Sequence, residues 1–249
     1  MTKTGVLKNA GAFAAVLFAV IFLAAFSSNE SNEAETLVTA QNTAPAAEET
    51  ADETVVIESE TTAETTTAAN APMSVDAMME DRFLGDADAP VTVIEYASMT
   101  CMHCATFHNE HLGKVKSDLI ESGQVKFIFR EFPLDAVALR ASMMARCAPK
   151  DKFFGLLEVL FANQKRWVGA SDPIDAMTKM GKLAGLSDTE IDACLANKEL
   201  ETALLETRQN AQAKYNVNST PSFVFNDGAI VESGVLPAAR IQEIVEGLE

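Results

Sequence analysis

The Cys-Met-His-Cys tetrapeptide at residues 101–104 constrains the fold of this chain more than any other feature. It follows a strand-like run at residues 91–96 and opens a segment that is predicted to be helical. Two cysteines at this spacing can close a small disulfide or supply half of a metal site. Because the start of a helix stabilises a thiolate, this position favours thiol chemistry over metal binding.

The N-terminus carries the pattern of an export signal. Lys3 and Lys8 precede an uninterrupted apolar run at residues 10–26. The run is long for a signal core and near the lower limit for spanning a bilayer. Residues 1–26 are therefore predicted to be either a cleaved signal peptide or an uncleaved signal anchor. Both alternatives place the rest of the chain outside the cytoplasm, in the periplasm or cell envelope.

A long acidic segment follows. Residues 27–80 are rich in Thr, Ala and Glu and contain 12 acidic and no basic residues. This composition buries too little apolar surface to fold, so the segment is predicted to be a disordered linker. It also accounts for most of the net charge of −17. Residues 81–249 are only mildly acidic and carry no basic stripe, so nucleic-acid binding is not expected.

Residues 81–249 are predicted to form one α/β domain. The predicted elements follow in this order: strand 91–96, helix 101–122, strand 125–132, a helical block, strands 222–225 and 229–232, and helix 237–248. A βαβ unit followed by a ββα unit is the arrangement of the thioredoxin-like fold. The helical block, about residues 134–215, is then an insertion between the two halves. Pro173 with Asp172 before it, and the capping-box pattern at residues 187–190, predict two helix starts within the block. The helices predicted in it are 135–148, 153–161, 173–183, 187–195 and 198–215.

Four residues in or near the tetrapeptide are candidates for redox chemistry. Cys101 is expected to be the exposed nucleophile, and Cys104, one helical turn further in, the resolving thiol. The His103 imidazole either favours the Cys101 thiolate electrostatically or is an exposed side chain without influence. Glu95, in the preceding apolar strand, is either a buried acid that relays a thiol proton or a side chain that faces solvent.

Thr220-Pro221 precedes the strand predicted at residues 222–225. A proline there removes a backbone donor and often adopts the cis form in a tight turn. If the fold is thioredoxin-like, this loop lies against Cys101 and the backbone of Thr220 can pair with an extended substrate. The alternative is an ordinary loop proline.

The remaining cysteines and histidines leave two further alternatives. Cys147 and Cys194, on separate predicted helices, are expected to pair in an oxidising compartment, and otherwise would be two free buried thiols. Cys104, His108 and His111 share one helix face and could bind a metal ion. Metal binding is not favoured, because the chain has no second Cys-X-X-Cys pair.

Two segments carry a resemblance to a known family. Residues 93–104 together with residues 218–223 resemble the DsbA-like family of extracytoplasmic thiol-disulfide oxidoreductases, and the resemblance extends over about residues 81–249. It implies a role for each matching residue. By this resemblance, Cys101 would be the nucleophile and Cys104 its partner, and Glu95 would be a buried acid beneath the site. Pro221 would be the cis-proline and Thr220 the residue before it.

The resemblance also implies an activity. Met102 stands where proline is common in the family, so it leaves the redox potential of the pair open. The family uses no metal or other cofactor besides its cysteine pair, and some members have a second disulfide in the helical domain, which Cys147 and Cys194 would suit. The leading expectation is an oxidase that introduces disulfides into reduced, unfolded proteins and is reoxidised by a quinone-linked membrane partner. The alternatives are a reductase or isomerase with the same fold, or a tethered chaperone or metal carrier.

Overall fold

The structure is a computed structural model that describes residues 73–248 of the chain. The predicted signal or anchor, residues 1–26, and the predicted linker up to residue 72 lie outside the described residues. Within residues 73–248, no helix combines the length and the hydropathy that crossing a bilayer requires.

A five-stranded sheet lies at the centre of the fold, with the strand order β1-β3-β2-β4-β5. The strands are β1 (Arg82–Leu84), β2 (Val91–Ala97), β3 (Val125–Glu131), β4 (Ser222–Phe225) and β5 (Ile230–Ser233). β2 and β3 run parallel, and the pairs β1–β3, β2–β4 and β4–β5 are antiparallel. The βαβ unit and the later hairpin thus share one sheet, which confirms the predicted thioredoxin-like fold.

Helices surround the sheet and form the insertion. Those outside the insertion are α1 (Val75–Met79), α2 (Met102–Thr106), α3 (Leu112–Val115) and α10 (Ala238–Glu246). Those of the insertion are α4 (Ala136–Arg146), α5 (Lys150–Ala162), α6 (Gln164–Val168), α7 (Pro173–Leu183), α8 (Asp188–Ala196) and α9 (Lys198–Tyr215). The insertion helices therefore lie between β3 and β4, where the sequence predicts the helical block.

Local sequence explains where the insertion helices begin and end. Pro173 occupies the first turn of α7, and the Asp172 carboxylate accepts hydrogen bonds from two of the free N–H groups there. Ser187 and Glu190 form a reciprocal capping box at the start of α8. Asn216 ends α9 in the left-handed conformation, with φ 55°. Such caps depend only on neighbouring residues, which is why the sequence predicts the starts of α7 and α8.

Both faces of the sheet are buried, and this decides the environment of Glu95. Val93 belongs to a core cluster that includes α10, whereas Ile94 belongs to the cluster that includes Ala211 of α9. Because side chains alternate along a strand, Glu95 lies on the same face as Val93. Its exposure is 0%. The alternative in which Glu95 faces solvent is therefore wrong, since helices cover both faces of the sheet.

A buried ion pair joins the sheet to the insertion. Glu131 at the end of β3 accepts two hydrogen bonds from Arg146 of α4, each 2.6 Å long. Arg146 also donates to the carbonyl groups of Met78 and Glu80 at the end of α1. One guanidinium group thus connects the sheet, the insertion and the first helix.

Helix α1 corrects the predicted boundary of the linker. It lies within residues 27–80, for which the composition predicts a disordered linker. The Met78 side chain is 5% exposed and packs against Leu200 and Leu204 of α9. The folded region therefore begins before residue 81. The sequence did not indicate this, because α1 is a single five-residue turn beside a long polar stretch.

The predicted helix at residues 101–122 is also not uniform. Two π-helical segments, Phe107–His111 and Lys116–Ile120, interrupt it on either side of α3. A π-helical segment takes more residues per turn, so it shifts the side chains that follow onto a different face. The face shared by Cys104, His108 and His111 in a regular helix is therefore altered. Strand β1 and helix α6 were not predicted, because both are short and α6 begins with three polar residues.

Candidate active site

The two cysteines of the tetrapeptide have different exposure. Cys101 is the N-cap residue of α2, just beyond the end of β2, and its side chain is partly exposed. Cys104 is 0% exposed and belongs to the core of the helical insertion. Both thiols are free. An incoming sulfur atom can therefore reach Cys101, whereas Cys104 can react only with Cys101.

The surroundings of Cys101 stabilise its thiolate. Its pKa is lowered from 9.0 to about 5. The largest cause is a hydrogen bond from the Cys104 thiol; burial opposes it, and the Thr220 side chain and the backbone N–H groups of Cys104 and His103 lower the pKa further. The two backbone groups belong to the N-terminal end of the helix, as the position of the tetrapeptide predicts. At neutral pH Cys101 is therefore mainly a thiolate.

The environment of Cys104 has the opposite effect. Burial raises the pKa of this thiol well above 9.0, and the hydrogen bond with Cys101 and the negative charge of Glu95 raise it further. Cys104 therefore keeps its proton at neutral pH. One thiol is ready to attack or to leave, and the other must gain or lose a proton whenever its bond to sulfur changes.

The Thr220-Pro221 loop lies against Cys101, as the predicted fold requires. The sulfur of Cys101 is 3.3 Å from the carbonyl oxygen of Thr220, which accepts a hydrogen bond from the thiol form. The Thr220-Pro221 peptide bond is cis. The carbonyl group of Pro221 accepts a hydrogen bond from Gly234, which ties the loop to the end of β5. The loop and the start of α2 together form the rim of the site.

Gln164 of the insertion supports the loop that carries Cys101. Its side chain is buried, and its amide nitrogen donates hydrogen bonds of 2.9 Å to the carbonyl oxygens of both Met99 and Cys101. This role is not apparent from the sequence, because Gln164 lies more than 60 residues from Cys101, between two of the predicted helices. A glutamine within the polar run at residues 163–166 gives no signal by itself.

Glu95 and His108 form a buried pair between β2 and the first π-helical segment. The Nε2 atom of His108 is 2.8 Å from Oε2 of Glu95, and the two side chains are 4% and 0% exposed. His108 lies in the first π-helical segment, which directs it toward β2. The sequence suggested His108 only as a metal ligand. Its pairing with Glu95 depends on contact between the helix and β2, which the helical spacing alone does not reveal.

The structure bears differently on the predicted role of the His103 side chain and on the metal-binding alternative. The side chain of His103 is exposed, and the residue acts on Cys101 through its backbone N–H. An electrostatic role for its imidazole remains a prediction. Within residues 73–248, no group of three or more His, Cys, Asp or Glu side chains is arranged to hold a metal ion.

The other two cysteines lie in the insertion. Cys147, at the end of α4, and Cys194 of α8 form a disulfide with a Cα–Cα distance of 6.2 Å. The bridge joins two helices that are separated by α5, α6 and α7 along the chain. It lies apart from the tetrapeptide, in a cluster with Leu139 and Leu195.

Comparisons with known proteins agree with this geometry. A family model described as thioredoxin matches residues 77–246. A relative named as a protein-disulfide oxidoreductase in Rickettsia conorii is 32% identical over 148 residues, which are 59% of this chain and 53% of the relative. The chain thus spans about half the length of this relative. Disulfide bond formation protein D of Bacillus subtilis is 28% identical, over 59% of this chain and 68% of that protein.

Solved structures give the same result. The crystal structure of alpha-DsbA1 from Wolbachia pipientis superimposes with a TM-score of 0.62 and 27% sequence identity. The match covers 68% of this chain and 91% of that one. It therefore includes nearly the whole of the Wolbachia protein and the folded region described above.

Proposed function

This chain belongs to the thioredoxin family, and on that premise we propose that it is a DsbA-like dithiol oxidase that catalyses thiol–disulfide exchange. The observation that carries the proposal is the contrast between the two thiols. Cys101 is partly exposed with a pKa lowered to about 5, and Cys104 is buried with a raised pKa. A nucleophile beside a protected resolving thiol is the arrangement that disulfide exchange requires.

The reaction proceeds in two displacement steps. A substrate thiolate attacks Sγ of Cys101 in the oxidised pair, the bond between Cys101 and Cys104 breaks, and the electron pair stays on Cys104, which takes up a proton. A second substrate thiolate then attacks the substrate sulfur of the mixed disulfide. Cys101 leaves as a thiolate, the substrate has gained a disulfide, and the enzyme holds the two electrons.

The direction follows from the same pKa values. A lowered pKa makes Cys101 a good leaving group and stabilises the reduced enzyme, and both effects make the Cys101–Cys104 disulfide more oxidising. A reductase needs the opposite balance, with a disulfide that is more stable than the dithiol. The pKa of about 5 for Cys101 therefore favours an oxidase.

The rim of the site suits extended, unfolded polypeptides. The Met102 side chain is 66% exposed next to Cys101, where it can contact apolar side chains. The carbonyl oxygen of Thr220 is close enough to Cys101 for the loop backbone to pair with a substrate strand. We propose reduced, unfolded exported proteins as substrates, a quinone-linked membrane protein as the reoxidising partner, and a periplasmic or envelope location. The cysteine pair is the only redox group that this scheme needs.

Two assays on one preparation test the proposal. The oxidised protein is mixed with a reduced dithiol peptide, and the reduced protein is mixed with insulin, whose disulfides report reduction. We expect rapid oxidation of the peptide and slow reduction of insulin, with neither reaction in the Cys101→Ser variant. Fast insulin reduction together with slow peptide oxidation would assign the protein to the reductase or isomerase class instead.

A further inference from the structure

Disulfide exchange at this site requires proton transfer to and from Cys104, which the two cysteines cannot provide by themselves. Cys104 takes up one proton when its bond to Cys101 breaks and releases one when that bond forms again. Its side chain is 0% exposed, so bulk water does not reach the sulfur directly. A group inside the protein must therefore supply and remove this proton.

Glu95 is positioned to be the first such group. It is fully buried, and its negative charge acts on Cys104. Only one carboxylate oxygen is used, since Oε2 pairs with His108 and Oε1 has no hydrogen-bond partner among the described residues. An unpaired buried carboxylate oxygen is costly, and it offers an acceptor site for a proton.

Glu95 alone would have to keep any proton that it accepts, because it has no contact with solvent. His108 removes this restriction. Its Nε2 atom contacts Glu95 at 2.8 Å, and its side chain retains 4% exposure. Resting on the proposed exchange activity, we propose that His108 serves as the proton reservoir of Cys104, passing the proton through Glu95. His108 touches the acid and not the sulfur, so it is a positioning residue.

The transfer balances in both directions. When substrate breaks the disulfide, protonated His108 gives its proton to Glu95 and Glu95 gives one to the Cys104 thiolate. The products are a thiol, a carboxylate and a neutral imidazole, and the net charge of the three groups is unchanged. On reoxidation the proton returns along the same route, and His108 exchanges it with solvent.

The aromatic residues that contact His108 carry no group that competes for its proton. The ring stacks on Phe161 of α5 at 4.2 Å between centroids and meets Phe129 of β3 and Phe107 edge-on. The titratable group in contact with it is Glu95 on β2, whose charge also acts on Cys104 of α2. The other buried charged side chains belong to a group beside the ring of Phe153. They are Arg82, Arg146 and Glu131.

The same aromatic contacts supply the competing explanation, in which His108 only fills space. Two substitutions separate the explanations. His108→Phe keeps an aromatic ring among aromatic neighbours but has no polar atom. His108→Gln can still donate a hydrogen bond to Glu95 but cannot carry a proton at neutral pH. His111→Gln, three residues further along the helix, is the matched control.

The experiment follows each step separately. The reduced full-length protein is mixed with excess glutathione disulfide, quenched with acid at intervals and analysed by mass spectrometry. Attack by Cys101 produces the mixed disulfide with glutathione. Attack by Cys104, which must first lose its proton, then releases glutathione. The rate of each step is measured between pH 4 and pH 9.

We expect both His108 variants to slow the second step by ~100-fold, the lower end of what proton-transfer groups contribute, and to leave the first step unchanged. In the wild type and in His111→Gln, a plot of the rate of the second step against pH should change slope, which we call the pH break. In both His108 variants this break should be missing. If either His108 variant kept both the wild-type rate and the pH break of the second step, the relay would be refuted. Absence of the break in the wild type would refute it even if the variants failed to fold. A wild type that did not react at the first step would instead refute the proposed function.

Discussion

Cys101 and Cys104 are one helical turn apart, yet their environments move their pKa values in opposite directions. The cause lies in exposure and hydrogen bonding rather than in the residue type. Hydrogen bonds from Cys104 and from the start of the helix lower the pKa of Cys101, whereas burial dominates for Cys104. The chemistry of the tetrapeptide therefore depends on groups that it meets only in the folded chain.

Alkylation of the reduced protein tests the state of Cys101. The rate of reaction with iodoacetamide should follow the thiolate fraction, with a midpoint near pH 5, compared with about 8.5 for an ordinary cysteine. Cys104→Ala should raise this midpoint, because it removes the largest stabilising hydrogen bond. Mass spectrometry identifies the alkylated residue. A wild-type midpoint above pH 8 would mean that Cys101 is an ordinary thiol.

Gln164 allows a second test at the residue scale. Gln164→Leu keeps the buried volume but leaves the carbonyl group of Met99 without its partner, whereas that of Cys101 still accepts from the N–H of Ala105. One unpaired buried group should cost ~1–3 kcal/mol in the free energy of unfolding. Urea unfolding measures this cost. Gln212→Leu, at an exposed position of α9, is the control and should change stability by less than ~0.5 kcal/mol.

At the scale of elements, the Cys147–Cys194 bridge fixes the insertion. It closes a loop between residues 47 positions apart, so it limits the freedom of the unfolded chain. Replacement of both cysteines by alanine should lower the free energy of unfolding by ~2–4 kcal/mol. The comparison is made by urea unfolding in a Cys101→Ala, Cys104→Ala background, where only one disulfide changes. A change below ~0.5 kcal/mol would show that packing alone holds α4 against α8.

The success of the sequence predictions also differs between elements. α7 and α8 begin where predicted, because Pro173 and the Ser187–Glu190 capping box are local signals. β2 and β3 follow from runs of apolar residues. β1, with three residues, and α6, with five, carry too little pattern to predict. Their existence depends on neighbours that are distant in sequence.

In the candidate site, too, some features could be predicted from the sequence and others could not. Cys101, Cys104, Glu95 and the Thr220-Pro221 loop could be proposed because a known arrangement relates their positions along the chain. The partnership of Glu95 with His108 could not, since it requires a π-helical segment that turns the imidazole toward β2.

At the scale of the whole molecule, the thiolate of Cys101 couples redox state to folding. Because folding lowers this pKa, the reduced protein gains stability that is fully present above the unfolded value of 9.0 and is lost as the pH falls toward 5. The oxidised protein has no thiolate at this position. Urea unfolding of both forms should therefore show the stability of the reduced form, relative to the oxidised form, falling from pH 9 to pH 5. A difference that stayed constant over this range would contradict the assignment.

The reduction potential of the Cys101–Cys104 disulfide tests the oxidase proposal most directly. It is obtained by equilibrating the protein with defined ratios of reduced and oxidised glutathione at pH 7 and counting free thiols by mass spectrometry. A stabilised Cys101 thiolate predicts a strongly oxidising pair, with a potential of about −120 mV. A potential near about −270 mV, the range of thioredoxin, would contradict the proposal and indicate a reductase.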